Sequence, residues 1–508
     1  METTVHTSPL LHAHRQDDDS RLSDVQGLSA QDAEAVDVAV RTTREAFAAP
    51  VSLETRLKRL SRLEAVVRTW EPQLLEALAQ DLGKSAAEAW STELGPVLSE
   101  IRHVRRLLPT WVTPTKVPGT VALAPSTAWI DHQPLGTVLI IAPWNYPVQL
   151  VLLPLVGALA AGNTAVIKPS EVTPHVAAVL ERAVAQHLSD CVGVVTGGVP
   201  ETTRVLQHRF DHIFYTGNAA VGRVVMRAAA EYLTPVTLEL GGKSPVWVDD
   251  TVDLATTAQR LAWAKFLNAG QTCVAPDYVM GTSEVLRRLE PLLVAAIRRM
   301  YGPDPDCSDS YGRIVSKKHL TALTEKLDQV PADDVVCGGT SDPSQCYLAP
   351  TVIRQRLDGP LMQQEIFGPV LPLVSVANDQ EAIAYINGGD KPLALYVFSQ
   401  DDHIRQAFRS ATSSGGMCMG AAVIHLAHPH LPFGGVGNSG MGSYHGEHSL
   451  KTFSHERAVV DKPLKPDTLA MIYPPYTALR SAVTKIAMGV PSPVKAVQKF
   501  FGSRATRP

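Results

Sequence analysis

The sequence predicts an α/β protein built on a doubly wound parallel sheet. Three observations carry that prediction: short apolar runs recur along the first half of the chain, helix-length segments alternate with them, and polar residues gather just after the runs. Strands covered on both faces read as continuous apolar runs, and parallel pairing needs a crossover between them, usually a helix. In such sheets ligands collect at the carboxyl ends of the strands.

Residues 30–108 read as helices, because Leu57, Leu60, Leu63, Val66 and Val67 recur at helical spacing, as do Leu74, Leu75 and Leu78. Pro114, Pro118 and Pro125 then mark an extended passage. The alternating units follow. Val138–Ile141, Ala165–Ile167, Val192–Val195 and Ile213–Tyr215 are the strands. Helices are expected at 148–161, about 175–186, about 200–207 and 220–231. Residues 245 to about 424 form a second α/β segment, with helices at 254–266 and 286–300. The glycines of Leu431–Gly440 and of Tyr444-His445-Gly446 indicate tight turns near a ligand or interface.

At 508 residues the chain is too long for one simple core, so two or three domains are expected. With 46 basic and 50 acidic residues the net charge is −4, which argues against a general nucleic-acid binder. Six cysteines without a Cys-x-x-Cys pair suggest free thiols in a reducing compartment. Met1–Ser20 lacks the apolar run of a signal peptide, and Asp17-Asp18-Asp19 suit a disordered lead. The apolar stretch from Pro134 to Ile167 is broken by Pro143, Pro147, Pro154, Gly157 and Gly162, so it reads as strand–helix–strand and not as a membrane span. A soluble, cytoplasmic protein is expected.

Three strand ends carry polar groups: Trp144-Asn145-Tyr146, Lys168-Pro169-Ser170-Glu171 and Thr216-Gly217-Asn218. Each is weak alone, and Gly217 to Gly222 lacks the usual Gly-x-Gly-x-x-Gly fingerprint. Three in one sheet make a binding crevice. The 36 residues from Leu238 to Cys273 place a carboxylate, Glu239, at one end and a thiol at the other. Such a pair could supply a covalent nucleophile and a base, although a lone Cys is more often a small buried apolar residue. Gly241-Gly242-Lys243-Ser244 is not a phosphate loop, since Thr237 occupies the required Gly position; Leu78 removes Gly83-Lys84-Ser85 by the same test. His425, His428 and His430 have no interleaved Cys or carboxylate, so packing or interface histidines are the better reading and no metal is expected.

Taken together, Glu239-Leu240-Gly241-Gly242-Lys243-Ser244-Pro245 and the Gly270-Gln271-Thr272-Cys273 that places a thiol 34 residues after the carboxylate resemble the aldehyde dehydrogenase superfamily. Pro143-Trp144-Asn145-Tyr146-Pro147, Leu431–Asn438 and Tyr444-His445-Gly446 resemble its class 3 branch of fatty, aromatic and coniferyl-type enzymes. The similarity spans roughly residues 30–460. It implies an NAD(P)-binding domain (26–111 and 135–238), a catalytic domain (239–423) and a bridging element (112–134 and 424–460) that pairs protomers into a homodimer. A disordered lead (1–25) and a basic C-terminal extension (461–508) flank these parts.

The resemblance also implies roles. Cys273 matches the nucleophile, Asn145 the oxyanion donor acting with the Cys273 N–H, and Glu239 the general base. Lys168 and Glu171 match groups on the adenosine ribose, and Glu365 the carboxylate on the nicotinamide ribose. Phe367, Trp144 and Leu240 complete that end of the cofactor, while Gly217 and Gly222 flank the turn near the pyrophosphate. The implied reaction is oxidation of an apolar aldehyde to its acid. NAD is the expected cofactor because Glu171 would repel a 2′-phosphate; Lys168 blunts that repulsion, which leaves NADP as a second choice. An acylating enzyme that uses coenzyme A and a silent scaffold are the alternatives. Glu239 counts against the first, and the complete set of Cys273, Asn145 and Glu239 against the second. One departure is Gly420-Ala421-Ala422, where class 3 sequences commonly carry Asn-Asp. Lys485, Pro491, Pro493 and Lys495 interrupt any span in the C-terminal extension. A solvated tail is expected there in preference to peripheral membrane contact through a short amphipathic helix.

Overall fold

The computed structural model describes residues 22–489. Most of the expected lead and the last 19 residues of the basic extension, 490–508, lie outside the described residues. The chain divides into two compact units. Among the described residues the first comprises 22–109 and Pro134–Ser454, the second Thr110–Gln133 and 455–489.

In the first unit, a six-stranded sheet runs in the order Gly440–Met441, Val236–Glu239, His212–Thr216, Thr137–Ile141, Thr164–Lys168, Val192–Val194. Its last five strands pair in parallel, and Gly440–Met441 closes one edge antiparallel to Val236–Glu239. The helices between them fall where the alternation predicts: Gln149–Ala161, Pro174–His187, Val199–Leu206 and Ala219–Ala230. Gln149–Ala161 is apolar all round and is buried from Leu150 to Ala161, as a helix through the middle of a large core must be. Its Gly157 lies against Ser449 and Phe453, so closely that an added Cβ would sit 2.6 Å from the Ser449 Cβ.

A seven-stranded sheet follows, in the order Val335–Cys337, Thr351–Gln355, Val370–Ser375, Tyr278–Gly281, Pro245–Val248, Ala394–Phe398, Gly416–Met419. Only the Val335–Cys337 edge is antiparallel. Leu254–Phe266 is a helix with the Asp253 carboxylate capping the Thr256 N–H. The predicted 30–108 region is a helical layer that ends in Gly95–Trp111, preceded by one π turn at Trp90–Leu94.

The expected bridge placed residues 424–460 outside the catalytic part. In the structure residues 424–454 belong to the first unit. The reasons are local: Gly440–Met441 pairs with Val236–Glu239, and the helix Gly446–Thr452 packs on Gln149–Ala161. The second unit is a three-stranded sheet in the order Thr115–Lys116, Thr127–Pro134, Ser454–Asp461. An Arg457–Asp131 ion pair of 3.0 Å braces it, and the helix Ala478–Ala487 completes it. No helix among the described residues is long and apolar enough to cross a membrane.

Candidate active site

The site is built where three strand ends of the first sheet meet the loop after Leu254–Phe266. Glu239 is the last residue of its strand and is buried, with neither carboxylate oxygen hydrogen-bonded. An unpartnered buried carboxylate is costly. Burial pushes the Glu239 carboxyl well above the usual carboxylate range.

The loop that carries Cys273 is tightly wound. Asn268 and Ala269 both take positive φ, at 53° and 50°, which non-glycine residues rarely adopt, and Gly270 follows at 75°. The Asn268 amide spans the turn, its Nδ2 donating to the carbonyls of Asn145 at 2.8 Å and Gln271 at 3.1 Å. Gln271 in turn ties the loop to the segment before the helix Lys317–Leu327: its Nε2 donates to Arg313 O, and its Oε1 accepts from Val315 N. Cys273 emerges from this turn with its own N–H and that of Val274 facing the sulfur. Burial pushes the thiol up to about 12, and the Glu365 and Glu239 carboxylates add to the rise. The resting sulfur is therefore a thiol, and it reacts only when its proton is taken.

Asn145 is brought to the same place. Its side chain is buried, and Nδ2 donates to Gln271 O at 3.0 Å, two residues before Cys273. The next residue repeats the link, with the Tyr146 and Thr272 hydroxyls 2.6 Å apart. Amide, thiol and carboxylate thus converge from separate stretches of sequence.

The expected cofactor residues form a second group. Glu365 is held against the first glycine after the Glu239-Leu240 strand end: an added Cβ on Gly241 would collide with its carboxylate, and the Gly242 N–H donates to it. Burial raises Glu365 to about 8, helped by Asp277 and opposed by that N–H and by Lys243 and Lys265. Lys243, the lysine of the rejected phosphate loop, has a structural task. It pairs with Asp277 and donates to Leu361 O and Gln364 O at 2.9 Å each, while Asp277 accepts from Ile366 N, so the loop carrying Glu365 is pinned.

Phe367, at φ 53°, sets its ring edge-on to Trp144 with centroids 5.4 Å apart. Gly217 donates its N–H to Glu239 O at 2.9 Å, and Gly222 lies against Leu240, where a Cβ would come within 3.0 Å of the side chain. Asn218 caps Ala219–Ala230. Lys168 and Glu171 form a 3.1 Å pair at their strand end, the lysine buried and the carboxylate about half exposed. A cavity of about 1110 Å³ runs past Asn218, Ala219, Gly241, Gly242 and Glu365. A helix N-terminus, glycine walls and a buried carboxylate are what a dinucleotide needs, so the residues present fit NAD(P).

Several contributors escaped the sequence: Lys84, Glu93, Tyr146, Asn268, Lys265 and His319. Lys265 is buried near Asp277 and Glu365, and burial brings its ammonium down to about 8. His319 packs edge-on to Trp144 at 5.0 Å. Gly420-Ala421-Ala422 follows the last strand of the second sheet. There Gly420 has φ 74° and its carbonyl accepts from Arg260. A left-handed backbone suits Gly and Asn alike, which explains how Gly stands where class 3 sequences have Asn. The histidine segment holds no metal cluster: among the described residues no three His, Cys, Asp or Glu side chains converge on one point. His425 instead contacts Cys418 Sγ at 3.3 Å, and His428 and His430 are exposed.

Residues 18–459 match the model of the aldehyde dehydrogenase family. The rat aldehyde dehydrogenase family 3 member B1 is 47% identical over 450 residues, covering 88% of this chain and 96% of the relative. The dog enzyme named aldehyde dehydrogenase, dimeric NADP-preferring, is 44% identical over 429 residues, covering 84% and 94%. A solved structure described as the substrate-bound state of Staphylococcus aureus AldH superposes with a TM-score of 0.81 at 40% identity, covering 93% of this chain and 98% of that one. The chain belongs to the aldehyde dehydrogenase family and is an NAD(P)-dependent enzyme of it.

Proposed function

We propose that Cys273, Asn145 and Glu239 carry this chemistry on an apolar aldehyde, which leaves as the free carboxylic acid. The observation that carries the assignment is the orphaned, buried carboxylate of Glu239 within electrostatic reach of the half-buried Cys273 thiol, whose loop is tied to Asn145. Cys273 Sγ gives up its proton to solvent water and attacks the carbonyl carbon. The Cys273 N–H and the free hydrogen of Asn145 Nδ2 take the developing oxyanion, and losing one such donor costs about 3–4 kcal/mol. Bound NAD(P)⁺ supplies the hydride acceptor. Glu239 then takes a proton from water at one of its unpartnered oxygens, and that water releases the acyl group from sulfur. The same burial that raises its pKa makes it a stronger base. Tyr444 lies near Glu239 and Cys273, with Phe433 edge-on to it at 5.7 Å, and these rings favour an apolar substrate.

Lys168, Glu171, Glu365, Phe367, Trp144, Leu240, Gly217 and Gly222 are assigned to the cofactor. Lys168 neutralises part of Glu171, which supports use of NADP as well as NAD. Pairing of protomers into a homodimer is supported by Val221, Val224 and Met226, apolar and exposed on Ala219–Ala230, and by the dimeric relative. Free cysteines support a cytoplasmic setting. Leu479, Val483 and Ile486 are exposed on Ala478–Ala487, and flotation with anionic vesicles tests whether that helix touches lipid.

The decisive assay follows reduced nicotinamide with an aldehyde panel, without coenzyme A, in wild type, Cys273→Ala and Glu239→Gln. Turnover in the wild type alone is expected. Turnover that requires coenzyme A, or that survives in Cys273→Ala, would overturn the assignment.

A further inference from the structure

The Gly83-Lys84-Ser85 motif binds no phosphate by its spacing, yet its lysine is fully buried, and the fold sends it to the active site. Lys84 has 0% side-chain exposure, as does Glu93, and the two pair at 2.7 Å. Lys84 Nζ also donates to the backbone carbonyl of Asn145 at 3.0 Å and stands 4.0 Å from the centroid of the Tyr146 ring. Glu93 uses its other oxygen to accept from Val148 N at 3.1 Å and Gln149 N at 2.9 Å, which fixes the start of the helix that follows the Asn145 loop. Glu88, between them in sequence, accepts from Asn268 N at 2.8 Å and so reaches the nucleophile loop.

One ten-residue segment, Lys84–Glu93, therefore holds both loops. Its short helix Ala86–Ala89 widens into the π turn Trp90–Leu94, and that turn is the element that carries Glu93. A surface ion pair would make none of these contacts. A buried pair is weak evidence of stability, because desolvation offsets its attraction, so its position calls for another reason.

We propose that the Lys84–Glu93 pair is a positioning device that sets the Asn145 amide against Cys273. It grips the Asn145 backbone from one side and the Val148 and Gln149 N–H groups from the other. The pair touches no reacting atom and acts through Asn145. The proposal rests on Asn145 being the amide donor to the oxyanion.

The test uses full-length enzyme and measures the first-turnover burst of reduced nicotinamide, KM and the melting temperature. In Lys84→Met/Glu93→Gln neither partner of the pair is stranded, and Glu88 loses the lysine's attraction but keeps its Asn268 N–H, so the fold is expected to persist. The burst should slow about 100-fold, as misplacement of a reacting group does, with KM within about threefold of wild type. Lys84→Arg keeps the charge but not the point contact, and a burst slowed at least about tenfold is expected from it. Placed on Asn145→Ala, the double change should add less than about threefold, because both act on one group.

A wild-type burst in a folded Lys84→Met/Glu93→Gln or Lys84→Arg enzyme would overturn the proposal. So would an undiminished loss on the Asn145→Ala background. If Asn145→Ala itself keeps the wild-type burst, the amide-donor assignment fails, and that result is separate from the other two.

Discussion

The Tyr146 and Thr272 hydroxyls share a 2.6 Å hydrogen bond, so the residue after Asn145 is tied to the residue before Cys273. Both groups are buried, and Tyr146 is held well above the usual phenol range by that burial. Tyr146→Phe removes one hydroxyl and leaves the Thr272 oxygen without this partner. The expected cost is about 1–3 kcal/mol of stability, the ordinary penalty for an unsatisfied buried polar group. Denaturant unfolding measures it. The burst rate should fall with it, because the two loops lose a direct link.

Glu239→Gln separates the two halves of the reaction. One equivalent of reduced nicotinamide per Cys273 should form rapidly, followed by a steady rate at least about 100-fold below wild type. Rapid-quench measurement of the bound acyl group checks this. In the wild type the release step needs the carboxylate, so it should gain speed as pH rises through a pKa above the usual carboxylate range.

The same carboxyl predicts a stability trend. Its native pKa lies above its ordinary 4.5, so between those values the folded state binds the extra proton. Stability from this group is full below about pH 4.5 and is lost as pH climbs through the native value. Glu239→Gln should therefore raise the melting temperature more near pH 8 than near pH 5. Equal shifts at both pH values would show that the carboxyl is not desolvated.

Cys273 should alkylate slowly in the free enzyme, because burial and the Glu365 and Glu239 carboxylates hold its thiol up at about 12. Glu365→Gln removes the larger of the two charge contributions. Iodoacetamide trapping at a constant pH near 9, where Glu365 is ionised, should then be faster than in the wild type. An unchanged rate would mean that Glu365 lies too far away to matter.

Gly241→Ala should displace the Glu365 carboxylate, since the new methyl would occupy its place. The expected result is a rise of about tenfold or more in KM for the cofactor, with a smaller change in aldehyde KM. Initial-rate kinetics with each substrate varied would show it. A change confined to aldehyde KM would move Glu365 out of the cofactor site.

Much of this was readable in the chain because the signals are local. The strand Thr137–Ile141 and the helix Leu254–Phe266 announce themselves by apolar runs and a capping Asp253. Cys273, Glu239 and Asn145 stand in short motifs. Glu93 does not, and Lys84 stands only in the rejected Gly83-Lys84-Ser85 motif; each is a charged residue in a helical region where solvent exposure is the usual fate. Their burial depends on contacts with Asn145 and Gln149 more than 50 residues away, which no window of sequence contains. The edge strand Gly440–Met441 escaped for a similar reason: two residues carry no periodicity, and only pairing with Glu239 and Leu238 makes them a strand.

The π turn at Trp90–Leu94 has a consequence for how this chain can change length. It holds more residues per turn than the α-helix on either side. Deleting one residue there would make the wide turn a regular α turn and leave the faces on either side nearly in phase, so Ile101, Val104 and Leu108 would stay buried. What would change is the turn itself, where Glu93 would lose the offset that sets it against Lys84. A single deletion within Trp90–Leu94 should therefore cost the Lys84–Glu93 pair more than it costs the packing of the helix.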